Sequence, residues 1–176
     1  MNITGGKYKG QKIKAPDENI TRPTLSKVRM SVFNTLQAMM DFEGASFLDM
    51  FAGSGIMGLE AISRGFSRSV AIEKNRKIFN VIKLNFSKYE KENDIRVVSG
   101  DSLKVAKMLG QFDVVYIDPP YFQGVYEQAL DAVSQFVDSI IILEHVVDVN
   151  FDGFEIIKQK KYGDKFITFL AKAKLK

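Results

Sequence analysis

Val114-Val115-Tyr116-Ile117 is a short apolar run rich in β-branched residues, and it stops at Asp118-Pro119-Pro120-Tyr121. Such a run reads as a buried parallel strand. Neither proline has a backbone N–H to give to a neighbouring strand, so the chain must leave the sheet there. A carboxylate, a stiff turn and an aromatic ring are thereby placed at the carboxyl end of a strand, the edge where open α/β sheets bind ligands. Asp118 and the Pro119 carbonyl become acceptors aimed one way, with Tyr121 as a flat wall beside them. Two acceptors and a ring suit a planar amine, such as the exocyclic NH2 of a base.

The rest of the chain supplies partners for that strand. Strands are expected over Ser46–Phe51, 70–73, 95–99, 112–118 and 139–144, with helices over 59–64, 75–90, 102–109 and about 125–137 between them. Strands alternating with helices imply a doubly wound, mostly parallel sheet of Rossmann-like α/β type. The last two strands, 154–161 and 166–171, are separated by Tyr162-Gly163-Asp164-Lys165. Only Val146 to Asp152 precede them, too few residues for a crossover helix, so they are expected to close the sheet as an antiparallel hairpin. Ahead of the core, residues 3–14 suggest a short, loose hairpin. Arg22-Pro23-Thr24 then breaks the chain, and Thr24 or Ser26 is expected to cap a helix reaching Met40. In that helix Val28, Val32, Phe33, Leu36, Met39 and Met40 fall at helical spacing and read as core.

With 176 residues the chain is expected to form one domain: an extension over 1–40 and a core over 41–176. There is no cysteine and one histidine, a poor ligand set, so no metal is expected. His145, at the end of the fifth strand, reads as structural or as a rim contact. No stretch has the length of a membrane span, and a soluble cytoplasmic protein, in all expectation a monomer, is the default. Charge is segregated. Residues 1–40 hold seven Lys/Arg against two Asp/Glu, residues 155–176 hold the same numbers, and the middle of the chain is net acidic. If the two basic ends meet on the ligand side, Lys7, Lys9, Lys12, Lys14, Arg22, Lys160 and Lys161 become candidate contacts to an anionic polymer such as RNA. If they do not meet, they are solvated surface.

Gly53-Ser54-Gly55-Ile56-Met57-Gly58 fits G-x-G-x-x-G between a strand and a helix. The glycines say that something approaches the backbone at a helix N-terminus, and a nicotinamide dinucleotide is one candidate. Asp49, four residues earlier, argues for another. A carboxylate beside the loop repels pyrophosphate and attracts a cationic sulfonium with an α-amino group. Glu73, at the end of the second strand, can take both hydroxyls of a ribose, a feature shared with dinucleotide sites. Asp101, ending the third strand, can accept from an adenine amine. With Asp118, four acids end four strands and face one crevice.

These residues resemble an S-adenosylmethionine-dependent methyltransferase of the group whose fourth strand ends in Asp/Asn-Pro-Pro-Tyr/Phe. The chain is more closely similar to the small bacterial 16S rRNA guanine-N2 methyltransferases of the RsmD family, nearly end to end. The match is carried by Gly5-Gly6-Lys7-Tyr8-Lys9-Gly10, Arg22-Pro23-Thr24, Val28-Arg29, Phe47 through Gly55, Gly58-Leu59-Glu60-Ala61, Ile72-Glu73, Asp118 through Tyr121, and Tyr162-Gly163-Asp164. It departs at Met30, where the family usually has an acid, and at Asn2, near which it commonly has a basic residue. The resemblance implies a seven-stranded methyltransferase sheet. It implies that Asp118, Pro119, Pro120 and Tyr121 hold and polarise a guanine N2 in 16S rRNA (family target guanine 966) on an assembled or assembling small ribosomal subunit. It places S-adenosylmethionine against Asp49, Phe51, Ala52, Gly53, Ser54, Gly55, Glu73, Lys74, Asp101, Ser102 and Asp118, with Arg22 and Thr24 close by. A DNA amino-methyltransferase, an NAD-dependent oxidoreductase and a non-catalytic RNA-binding module remain alternatives.

Overall fold

The computed structural model describes residues 1–17, 24–136 and 138–174. Among these, seven strands form one sheet: β1 (Ser46–Asp49), β2 (Arg68–Glu73), β3 (Asp94–Ser99), β4 (Val114–Ile117), β5 (Ile140–His145), β6 (Phe154–Tyr162) and β7 (Lys165–Lys172). Their order is β3-β2-β1-β4-β5-β7-β6. The first five run parallel. β7 runs antiparallel to both β5 and β6. The expected doubly wound sheet with a terminal hairpin is what the chain forms. β6 is an edge strand, largely exposed, with an irregularity between Ile156 and Lys158.

Helices α1 (Ser26–Met39), α2 (Ile56–Ser63) and α3 (Arg76–Phe86) cover one face, and α4 (Ser102–Met108) and α5 (Val125–Ala132) the other. The parallel strands are buried on both faces: Val114, Val115, Tyr116 and Ile117 expose at most 1% of their surface. On the first face Phe33 of α1 lies 5.7 Å from Phe47 of β1 and 6.4 Å from Phe66, an interlocked aromatic group. Each such side chain contributes roughly 2–3 kcal/mol on burial. α1 starts between the two expected caps and has no capping side chain. Its N-cap is Leu25, and neither Thr24 nor Ser26 makes a side-chain cap bond.

The N-terminal segment forms the expected short, loose hairpin: Asn2 bridges Lys12, the Ile3 and Ile13 amides donate to the Gln11 and Met1 carbonyls, the Gly10 amide donates to the Ile3 carbonyl, and the turn between the two arms is spread over α2. The Lys7 and Tyr8 amides donate to the Ser63 carbonyl and hydroxyl, and the Thr4 amide donates to Glu60. Gly6 is fixed by this docking: it has φ +78°, and a Cβ there would sit 1.8 Å from the Ser63 carbonyl oxygen.

Under the loop lies a fully buried ion pair. Arg29 of α1 donates Nε to Glu60 Oε1 at 3.4 Å, and its other nitrogens donate to the carbonyls of Asn2 and Thr24. Arg64 donates to Glu60 Oε2 at 3.2 Å. One carboxylate therefore ties α1, α2 and the N-terminal segment together. Removing one member of a buried pair strands the other charge. Glu60→Ala is therefore expected to cost about 3–5 kcal/mol, read as a lower urea midpoint at unchanged slope. Arg29→Met combined with Glu60→Leu should recover part of the loss. A cost for Glu60→Ala below about 1 kcal/mol would show that the pair holds nothing together.

Candidate active site

The sheet order reverses between β1 and β4, so the chain leaves these neighbours toward opposite faces and a crevice opens at their carboxyl ends. It encloses about 480 Å³, enough for a nucleoside-sized molecule. Each wall comes from a strand end or from the loop after it.

The loop after β1 forms the floor. Phe51, Ala52, Gly53 and Ser54 line the crevice, while Gly55 sits behind them as the α2 N-cap with φ +79°. A Cβ on Gly55 would also come within 2.9 Å of the Phe86 ring, so the turn and its packing both require glycine. Asp49, at the end of β1, is 1% exposed, and neither of its carboxylate oxygens has a hydrogen-bond partner among the described residues. Burial first, then the negative charges of Asp118 and Glu73, push its pKa well above the usual carboxylate value. The Phe51 N–H approaches without hydrogen-bond geometry and opposes this only weakly. A buried acid with neither cation nor donor is an unmet demand for positive charge.

Glu73 and Lys74 form the next wall. Glu73 Oε1 accepts from the Asn75 amide at 2.7 Å. Burial raises its pKa, against the nearby amides of Asn75, Gly53 and Lys74. Asp101 and Ser102 follow, after β3. Asp101 has a structural task as well: its Oδ1 caps α4 by accepting from the Leu103 and Lys104 amides at 3.0 and 3.3 Å. Ile78 and Leu103 add apolar surface here, which suits the faces of a purine.

The opposite wall is the proline corner. Asp118, Pro119, Pro120 and Tyr121 all line the crevice, and Tyr121 and Phe122 stand exposed at its lip. Behind the corner lies a network that sequence reading missed. Lys165 Nζ is 3.9 Å from Asp118 Oδ1 and 2.5 Å from Glu144 Oε2. Glu144 is buried, and its other oxygen accepts from the Tyr116 hydroxyl. Burial works against the Lys165 ammonium, but Asp118 and Glu144 outweigh it and hold its pKa above the ordinary lysine value. No local signal marks Lys165. It reaches the site only because β7 folds back beside β5. His145 is a packing residue: its Nδ1 donates to the Val147 carbonyl, its Nε2 accepts from Thr168, and its ring stacks on Phe166.

Thr24 lines the crevice just ahead of α1, while Arg22 falls outside the described residues. The basic residues divide. Lys14 is held one step from the loop, its amide donating to Asn85, whose side chain also reaches the Ser54 carbonyl. Lys12 is exposed in the bridge with Asn2. Lys7 and Lys9 belong to the turn docked at the C-terminal end of α2, opposite the crevice, and Lys7 is paired with Glu92 at 2.8 Å. They do not join a crevice-side basic surface. Lys160 donates to Ser31 and Thr35 and fastens β6 to α1, so it acts as a strut. Lys161 lies over the Phe166 ring, 5.2 Å from its centroid.

Comparison with known proteins agrees with this geometry. The family model described as "Conserved hypothetical protein 95" matches residues 1–171. Ribosomal RNA small subunit methyltransferase D of Escherichia coli K12 is 33% identical over 135 residues, covering 76% of this chain and 67% of that protein. The enzyme of the same name from Haemophilus influenzae is 32% identical over 174 residues, covering 93% and 89%. The solved structure of Escherichia coli yhhF superposes with a TM-score of 0.83 at 25% identity, covering 98% of this chain and 97% of that one.

A cation bound against Asp49 favours its ionised form. Binding then releases a proton wherever the free protein holds Asp49 protonated, and affinity falls as pH drops through its raised pKa. Asp49→Asn removes both the buried charge and the attraction. It is expected to raise the thermal midpoint near pH 7 and to weaken S-adenosylhomocysteine binding about tenfold to a hundredfold. Below the raised pKa of Asp49, calorimetry in buffers of different ionisation enthalpy should find a proton released by the native protein and not by the variant, and the release should fade as pH rises through that pKa. A variant that binds as tightly as the native protein would remove Asp49 from the ligand's contacts.

Proposed function

The chain belongs to the RsmD family, described as conserved hypothetical protein 95, and on that premise we propose that it methylates the exocyclic N2 of a guanine in 16S rRNA, with S-adenosylmethionine as donor. The observation that carries this reading is the opposition of two groups across one crevice: the unpartnered carboxylate of Asp49 and the acceptor corner of Asp118 and Pro119. The first is suited to a cation, the second to a planar amine.

When bound, S-adenosylmethionine would supply a methyl carbon activated by its sulfonium, giving up its bond to sulfur so that the donor leaves as the neutral thioether S-adenosylhomocysteine. The residues present fit that cofactor. Asp49 faces its positive charge, Glu73 can accept from ribose hydroxyls, and Ile78 and Leu103 offer walls for adenine. The free oxygen chemistry of Asp101 beyond its cap bond suits the adenine amine. The Phe51-to-Ser54 loop, which lines the crevice, would hold the cofactor through its backbone.

The protein's main task is alignment. An aryl amine is a poor nucleophile because its lone pair is delocalised into the ring. Asp118 and the Pro119 carbonyl accept from the two amine hydrogens, which draws the nitrogen toward a pyramidal shape. They also stabilise the positive charge that develops as the N–C bond forms. The proton then leaves to Asp118 or to water beside it. Tyr121 and Phe122, exposed at the lip, offer rings on which an extruded base can stack. Lys14, Lys161 and, as the family resemblance implies, Arg22 would meet phosphate. So small a basic surface suits recognition of a prefolded RNA or an assembling small subunit by shape, with the protein acting as a monomer.

The test is transfer of labelled methyl to small ribosomal subunits from cells lacking this protein, with duplex DNA as the competing substrate. The native protein should label the subunits on a guanine N2, located by mass spectrometry of nuclease digests. Asp118→Ala should lower the rate about a hundredfold or more while still binding S-adenosylhomocysteine. Labelling of DNA in place of subunits would favour a DNA amino-methyltransferase, and stabilisation by NAD but not by S-adenosylhomocysteine would favour an oxidoreductase.

A further inference from the structure

Lys165 enters the crevice from β7, across β5 from the proline corner. Its ammonium is fixed from behind. Glu144 Oε2 lies 2.5 Å away, and the other oxygen of Glu144 is taken by the Tyr116 hydroxyl. Three neighbouring strands each give one member: Tyr116 from β4, Glu144 from β5 and Lys165 from β7. Backbone pairing holds their spacing, since Tyr116 pairs with Ile142 and Glu144 with Ile167. The ammonium is therefore a cation on a rigid mount, with little of a surface lysine's freedom.

Its distance to Asp118 is informative. At 3.9 Å from Oδ1, Lys165 attracts the carboxylate at ion-pair distance. On the other side stand Asp49 and Glu73, carboxylates of the same crevice, and the charge of Asp118 is felt at Asp49. Repulsion from them and attraction to Lys165 act in the same sense. Both draw Asp118 toward the β5 side, beside the Pro119 carbonyl of the same corner.

The geometry points to Lys165 as a positioning residue for methyl transfer: held by Glu144 and Tyr116, it fixes the direction of the Asp118 carboxylate and keeps its negative charge in place. It touches neither methyl donor nor base in this role and acts through Asp118. The assignment rests on the amine-methyltransferase reading above. It also explains why a buried glutamate lies behind the crevice without lining it. Glu144 is the anchor of the cation, and the pair is costly unless the cation does something at its other end.

The test compares Lys165→Met, Lys165→Arg and the double variant Lys165→Met/Glu144→Gln with the native protein. It uses methyl transfer to unmethylated small subunits, calorimetric binding of S-adenosylhomocysteine and the thermal midpoint. Lys165→Met is expected to lower kcat about tenfold to a hundredfold while S-adenosylhomocysteine affinity stays within about twofold. Lys165→Arg, which keeps the charge, should recover part of kcat. The double variant removes the stranded buried charge but keeps an acceptor for Tyr116, so the thermal midpoint should return while kcat stays low.

Native kcat in Lys165→Met, or recovery of kcat together with the midpoint in the double variant, would overturn the assignment and leave Lys165 as a fold strut. Absence of transfer by the native protein would sink the functional reading first and this assignment with it.

Discussion

Parallel pairing at the centre of the sheet is the constraint from which the rest follows. Parallel neighbours cannot be joined by a tight turn, so each strand must hand the chain to a helix and return. Once β1 and β4 lie side by side with their connections on opposite faces, their carboxyl ends part and a crevice is unavoidable. Side chains at the ends of β1, β2, β3 and β4 then converge whatever their chemistry. In this chain they are Asp49, Glu73, Asp101 and Asp118.

Four acids in one crevice repel each other, and the structure relieves only part of that repulsion. Asp101 is neutralised locally by helix amides and Asp118 by Lys165. Glu73 leans on backbone N–H groups. Asp49 has no such relief, and its destabilised anion is tolerated by a core whose aromatic packing is dense on the same side of the sheet. Stability is lost where it makes a binding position ready. The buried Arg29–Glu60–Arg64 group shows the opposite solution on α2, where every charge is met by a partner inside the protein.

Much of this was legible in the residues. Strand and helix order, the terminal hairpin and the acid at each strand end follow from β-branched runs, glycines and prolines that act over a few residues. Asp49, Glu73 and the proline corner were readable because topology sends strand ends to one place. What was not legible is contact between distant segments. The N-terminal hairpin was readable, but not that Ser63 and Glu60 would take the amides of its turn and carry Lys7 to the far end of α2. Lys160 read as an RNA contact, but Ser31 and Thr35 lie within its reach. Lys165 gave no signal, because its role depends on Glu144 and Tyr116 standing on two other strands.

The outer strand β6 has one more consequence. Its free edge offers backbone amides and carbonyls to any extended chain, and Ile156 and Ile157 beside it are half exposed. Left flat and uncharged, such an edge would recruit copies of itself and seed aggregation. The irregularity after Ile156 and the close succession of Lys158, Lys160 and Lys161 spoil that template, one by breaking the repeat and the others by electrostatic repulsion. Lysines on this edge thus guard the protein's solubility, whatever else they contact.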